Sequence, residues 1–160
     1  MPGPDIVFRT VGYDEPDAVK LITEVQQEYI RRYGTTDETP VAAAEFAPPL
    51  GLFLVGYHNE IPLVCGGWRA HDGEELFTDG DAEVKRMYVV PNARRRGYAR
   101  AVLAELERTA KDAGRRRIVL ETGTAQPEAI ALYTSSGFHA IPKFGRYRGH
   151  DGSRCYGKIL

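Results

Sequence analysis

Seven consecutive residues, Arg94-Arg95-Arg96-Gly97-Tyr98-Ala99-Arg100, have the composition of a phosphate site. They follow a β-rich run, Val84 to Val90. They open into a stretch whose apolar residues Ala99, Val102, Leu103, Leu106 and Ala110 fall on one helix face. A strand, a glycine turn and a helix in that order aim several backbone N–H groups at one point, and the helix dipole makes that point positive. Gly97 and the small Ala99 leave the backbone open to a pyrophosphate, and the arginines can add charge-assisted contacts. The plain alternative is a solvated arginine loop, because an isolated glycine most often marks a turn. The turn is not a Walker loop, since no G-x-x-x-x-G-K-[ST] occurs. It is not a Rossmann fingerprint either, since G-x-G-x-x-G is missing at Gly97.

The elements that must position this turn follow from periodicity. Ile6 to Val11 alternates as a strand. Asp14 and Pro16 supply helix-start chemistry for a run with Ala18, Leu21, Ile22, Val25, Tyr29 and Tyr33 at helical spacing, which Gly34 stops. Thr35 to Pro49 is predicted to be a loop with one short helical turn near Ala42-Ala43-Ala44. Leu50 to Tyr57 and Ile61 to Ala70 read as a hairpin about His58-Asn59-Glu60. A polar connection, His71 to Gly80, leads to a fourth strand at Asp81 to Val90. A helix follows from about Arg96 to Gly114, then a short buried strand at Ile118 to Glu121 and a helix from Pro127 to Gly137. Phe138 to Ile141 and Cys155 to Leu160 supply the last strands. The sum is an α/β (α+β) layer fold, antiparallel in its first half and β-α-β-α-β in its second.

The bulk numbers exclude several classes. The 160 residues suit one domain, 1–160, with a sizeable core, and no linker or repeat interrupts them. A formal charge of -1 argues against a nucleic-acid partner. The apolar runs are too short to span a bilayer, and Met1-Pro2-Gly3-Pro4-Asp5 lacks a signal-peptide layout, so a cytoplasmic protein with no membrane partner is expected. Cys65 and Cys155 form no C-x-x-C pair and read as buried thiols. The four histidines show no zinc spacing, so no metal is expected.

The pattern Arg94-x-x-Gly97-x-Ala99 resembles the R/Q-x-x-G-x-G/A signature of the GCN5-related N-acetyltransferases (GNAT). Glu83-Val84-Lys85-Arg86-Met87-Tyr88-Val89 looks like that family's fourth strand, and Ala129-x-x-Leu132-Tyr133-x-x-x-Gly137-Phe138 like its late helix motif. The resemblance runs from about Phe8 to the C-terminus. It implies a mixed, mostly antiparallel central sheet with helices on both faces and strands four and five splayed apart. It also implies acetyl-CoA as co-substrate. Its pantetheine arm would pair with the backbone of Met87 and Val89 beside Tyr88, as an added strand. Arg94, Arg95, Arg96, Gly97, Tyr98, Ala99 and Arg100 would surround the pyrophosphate. Gln126 stands where the family often has Asn.

Acyl transfer to an amine needs a base to neutralise the amine, a donor for the developing oxyanion and an acid for the leaving thiolate. Glu83 is the candidate base, on the expectation that burial raises its pKa. The alternative is a structural pair with Lys85 or Arg86, and Asp79, Asp81 and Glu121 stand in reserve. Tyr133 is the candidate acid, against a plain core aromatic. The Met87 N–H is the expected oxyanion donor. Arg115-Arg116-Arg117 is explained by the preceding helix C-terminus.

The acceptor is expected to be a small-molecule or peptide amine, selected by the first helix, Thr35–Pro49, Asp72–Asp81 and Phe144–Arg154. Glu38, Glu45, Glu74, Glu75, Asp79 and Asp81 favour a cation; Arg146, Tyr147 and Arg148 favour a carboxylate. The resemblance allows a monomer or a homodimer. A non-catalytic acyl-CoA-binding module is the other reading of the same motifs.

Overall fold

A computed structural model describes residues 5–160. The Met1–Pro4 part of the signal-peptide reading lies outside them.

Seven strands form one sheet in the order β1-β2-β3-β4-β5-β7-β6. These are β1 (Val7–Thr10), β2 (Gly51–His58), β3 (Ile61–His71), β4 (Asp81–Val89), β5 (Arg117–Gly123), β6 (His139–Ala140) and β7 (Ser153–Ile159). The first four pair antiparallel in sequence order, as the hairpin reading predicts. β4 and β5 run parallel, joined by the crossover helix α2 (Tyr98–Asp112). β7 returns to lie between β5 and β6, antiparallel to both. β3 runs through His71, one residue further than its apolar pattern, because His71 pairs with Asp81.

Helices cover both faces. α1 (Pro16–Tyr33) starts where the Glu15 side chain accepts from the N–H groups of Asp17 and Ala18, at 3.0 and 3.3 Å. It buries Ala18, Leu21 and Val25. Its ties to the sheet are Tyr57 Oη to Asp17 at 2.6 Å and Tyr88 Oη to Glu24 at 3.2 Å. α2 packs on the opposite face, where Trp68 Nε1 donates to Thr109 Oγ1 at 3.1 Å. It buries Val102, Leu103, Leu106 and Ala110. α3 (Pro127–Ser135) follows β5. The expected helical turn in the long loop is a 3-10 turn at Ala43–Phe46. Leu106 is fully buried in the main core. Leu106→Ala is expected to cost about 2–5 kcal/mol, because the site can only partly collapse. A urea melt checks it, as a lower midpoint with an unchanged slope.

Two irregularities shape the site. β4 carries one extra residue opposite Gly66, a bulge at which Arg86 has φ 61°. The β4–β5 ladder holds only at Asp81↔Arg117, Ala82↔Ile118 and Glu83↔Val119. Beyond Glu83 the strands part, as the resemblance implies.

Candidate active site

The parting strands open a cavity of about 350 Å³. Val84, Lys85, Arg86 and Met87 line one side and Leu120, Glu121, Thr122 and Gly123 the other. The C-terminal end of α1, the start of α3 and the Thr35–Asp37 and Tyr147–Ser153 segments complete the wall. The bulge leads Met87, the next residue, into this wall.

The glycine turn lies at the end of β4. Arg95 has φ 66° and Gly97 φ 84°, and Gly97 is the N-cap of α2 without any side-chain cap. Its left-handed conformation is one that glycine adopts at little cost. The first N–H groups of α2, at Tyr98, Ala99 and Arg100, are therefore not satisfied by a cap. The surrounding side chains divide by task. Arg95 and Arg96 are exposed. Arg94, also exposed, is engaged by its own chain: Nε donates to the Val89 carbonyl at 3.0 Å and Nη2 pairs with Glu28 at 2.6 Å. Arg100 ties α2 to α3 through Ser135 and Ser136, at 2.9 and 3.1 Å. Tyr88 and Tyr98 bury their side chains, so only their backbones face outward chemistry.

Glu83 is 3% exposed, but its environment corrects the expected pKa shift. Burial pushes the carboxyl up; hydrogen bonding from His71 and the charges of Lys85, Arg69 and His71 outweigh it and hold it below the usual carboxylate range. The ion-pair partners are Arg69 Nε and His71 Nε2, each 2.9 Å from Oε1, and not Lys85 or Arg86. Arg69 also meets Glu45, and His71 also meets Glu74 while stacking on Phe77 with ring centroids 3.6 Å apart. These residues line a second cavity of about 280 Å³, and Glu121 lines both cavities.

Glu121 behaves in the opposite way. Burial raises its pKa, and the neighbouring carboxylates Glu83 and Asp37 add to the rise. The Ser153 hydroxyl, which donates to Oε2 at 2.9 Å, and the charge of Lys85 oppose it without cancelling it. The other two reserve acids are occupied. Asp81, fully buried, binds Arg117 at 2.7 Å, and Asp79 accepts from Gly73 N at 2.6 Å. Arg115 pairs with Asp72 at 2.8 Å, so two of the three arginines after α2 brace the β3–β4 connection.

Tyr133 is 7% exposed and stands in the cavity wall. No hydrogen bond within the described residues engages its hydroxyl, and burial pushes its pKa up to about 12. It is thus a protonated phenol facing an open cleft. Gln126 caps α3, and its Oε1 accepts from Tyr33 Oη at 2.9 Å. Gly123 makes that contact possible, because a Cβ there would lie 2.3 Å from Tyr33 Oη.

Most of the acids and arginines read as acceptor determinants are already paired. Glu38 pairs with Arg146 at 3.2 Å, and its N–H donates to Tyr147 Oη at 2.8 Å. Sequence reasoning missed Asp37, whose Oδ2 accepts from Lys85 Nζ and Arg86 Nη1, each at 2.6 Å. Burial pushes that carboxyl up, and the two cations overcome this and hold it well below the usual range. The available signal was Lys85-Arg86 inside an otherwise buried strand, since buried charges need partners.

Residues 18–138 match the model of the acetyltransferase (GNAT) family. The chain belongs to this family. It is 35% identical over 141 residues to the IAA acetyltransferase of Azospirillum brasilense, covering 86% of this chain and 89% of that protein. The fold is shared with the ribosomal-protein-alanine N-acetyltransferase of Brucella melitensis (TM-score 0.73, 22% identity, 96% and 99% of the two chains). It is also shared with a GNAT family acetyltransferase of Elizabethkingia anophelis, solved with acetyl-CoA bound (TM-score 0.69, 15% identity, 98% and 99%). The chain is an N-acetyltransferase, and the cleft between β4 and β5 is its candidate active site. No helix among the described residues is long and apolar enough to cross a membrane.

Proposed function

We propose that this N-acetyltransferase moves an acetyl group from acetyl-CoA to a primary amine by direct attack, with no acyl-enzyme step. The carrying observation is the cleft itself. One wall holds a carboxyl with a raised pKa, Glu121, and the same cavity holds an unengaged protonated phenol, Tyr133.

The donor lies with its pyrophosphate against the first N–H groups of α2, where Gly97 leaves the backbone open and Arg95 and Arg96 add charge. The pantetheine arm runs along β4 at Met87 and Val89 and passes Gln126 at the start of α3. Glu121 accepts the proton of the attacking amine; a raised pKa suits a base working near neutrality. The Met87 N–H, set by the bulge, faces the oxyanion. Tyr133 gives its proton to the departing thiolate. Glu83, its pKa held low against burial by its partners Arg69 and His71 on Oε1, supports this base as fixed negative charge and does not take the proton itself.

Acetyl-CoA at about a hundred times its Kd is expected to raise Tm by several degrees, because a ligand bound only by the folded state adds about 2.7 kcal/mol. Free thiol should then appear when an amine is supplied. Stabilisation without thiol release across a broad amine panel would reduce the chain to a binding module. No stabilisation would overturn the donor assignment.

A further inference from the structure

On the acetyl-transfer reading above, the end of the cleft away from the glycine turn receives the amine. Two features of that end restrict what can enter. The first is a fixed roof. Asp37 is bound to α1 through its backbone, donating to Gln26 Oε1 at 2.8 Å and accepting from Gln26 Nε2 at 3.2 Å. Its side chain is bound to β4 through Lys85 and Arg86. The next residue, Glu38, is joined to Tyr147 and Arg146 of the opposite loop. The two loops therefore meet across the acceptor end. The space beneath, part of a cavity of about 350 Å³, has the size of a small-molecule site.

The second feature is charge. Lys85 and Arg86 share a single carboxylate oxygen, Asp37 Oδ2. An ammonium has three donors, and the Lys85 side chain, 9% exposed in the cavity wall, has that one acceptor. Glu121 becomes neutral once it holds the proton of the amine. Asp151, the other acid in the wall, is exposed and screened. The inner wall, balanced while Glu121 is ionised, thus passes to two cations against one anion as the proton is transferred.

We propose, as an extension that rests on that reading, that the acceptor is a small free amine that also carries a carboxylate or other acidic group, bound by Lys85. The acidic group supplies the missing negative charge and fills the open ammonium donors. An amine without it leaves those buried donors unpaired, which is the strongest basis for rejecting a near-isostere.

The test compares free amino acids, the carboxamides of the same amino acids, the corresponding decarboxylated amines and short peptides with free N-termini, by thiol release from acetyl-CoA. Amino acids are expected to exceed their carboxamides by about tenfold or more in kcat/KM. Lys85→Met should collapse that ratio towards one, and Lys85→Arg should restore part of it. The ratio is taken within one enzyme, so a general loss of folding or catalysis cancels. Preference for carboxamides, simple amines or peptides overturns the proposal, as does binding of acetyl-CoA without turnover of any acidic amine. Failure of acetyl-CoA to stabilise the protein is separate: it removes the donor reading itself.

Discussion

Glu121→Gln is expected to lower kcat by about two to four orders of magnitude, the range that a positioned general base supplies. Acetyl-CoA affinity should change little, because the amide keeps the shape of the carboxyl and Glu121 lies beyond the glycine turn. The pH profile gives the sharper reading. A base must be unprotonated to act, so kcat/KM in the wild type should fall as pH drops through the Glu121 pKa. That pKa is raised by burial first, then by Glu83 on β4 and Asp37 on the facing loop, against Ser153 on β7 and Lys85 on β4. The acid limb should therefore lie above the ordinary carboxylate range and vanish in the variant. A limb below that range would point to Glu83, which its partners hold low. An unchanged kcat and limb in Glu121→Gln would remove Glu121 from the reaction.

Tyr133→Phe is expected to lower kcat by about a hundredfold, with acetyl-CoA stabilisation retained. The ring stays in place against Phe138 and Tyr156, at centroid distances of 5.9 and 6.4 Å, so packing is preserved. The lost proton matters only when the thiolate leaves. A poorer leaving group should suffer more than a better one, and acyl donors with more acidic thiols should recover part of the rate. Equal rates for the wild type and the Tyr133→Phe variant would make the residue a core aromatic after all.

The fold is largely legible in the sequence because its signals are local. Hairpin spacing marks β2 and β3, and the glycines after α1 and α2 mark their ends. The splay of β4 from β5 comes only through the resemblance, since a ladder three residues long leaves no mark in composition. The site is legible by residue and less so by environment. Tyr133 lies in the cavity wall and Gly97 at the start of α2, both positions that short motifs mark. The sequence shows Glu83 only as a buried carboxyl, yet Arg69 and His71 reach it from the neighbouring strand, and register between strands is set by pairing that no single segment encodes. The Glu38–Arg146 pair joins residues 108 apart in sequence, so two opposed charge signals are visible there and their cancellation is not.

The place of β7 bears on how the chain acquires its site during synthesis. β2, β3 and β4 pair across short connections, and such local contacts form early. β7 follows the other strands of this sheet in sequence, and it supplies Ser153 to Glu121 and closes the free edge of β5. A nascent chain can thus hold a folded first half and a complete glycine turn while its acyl-transfer centre is still half-built. Truncation just before Ser153 should yield a protein whose donor end is formed and whose base lacks its hydroxyl partner.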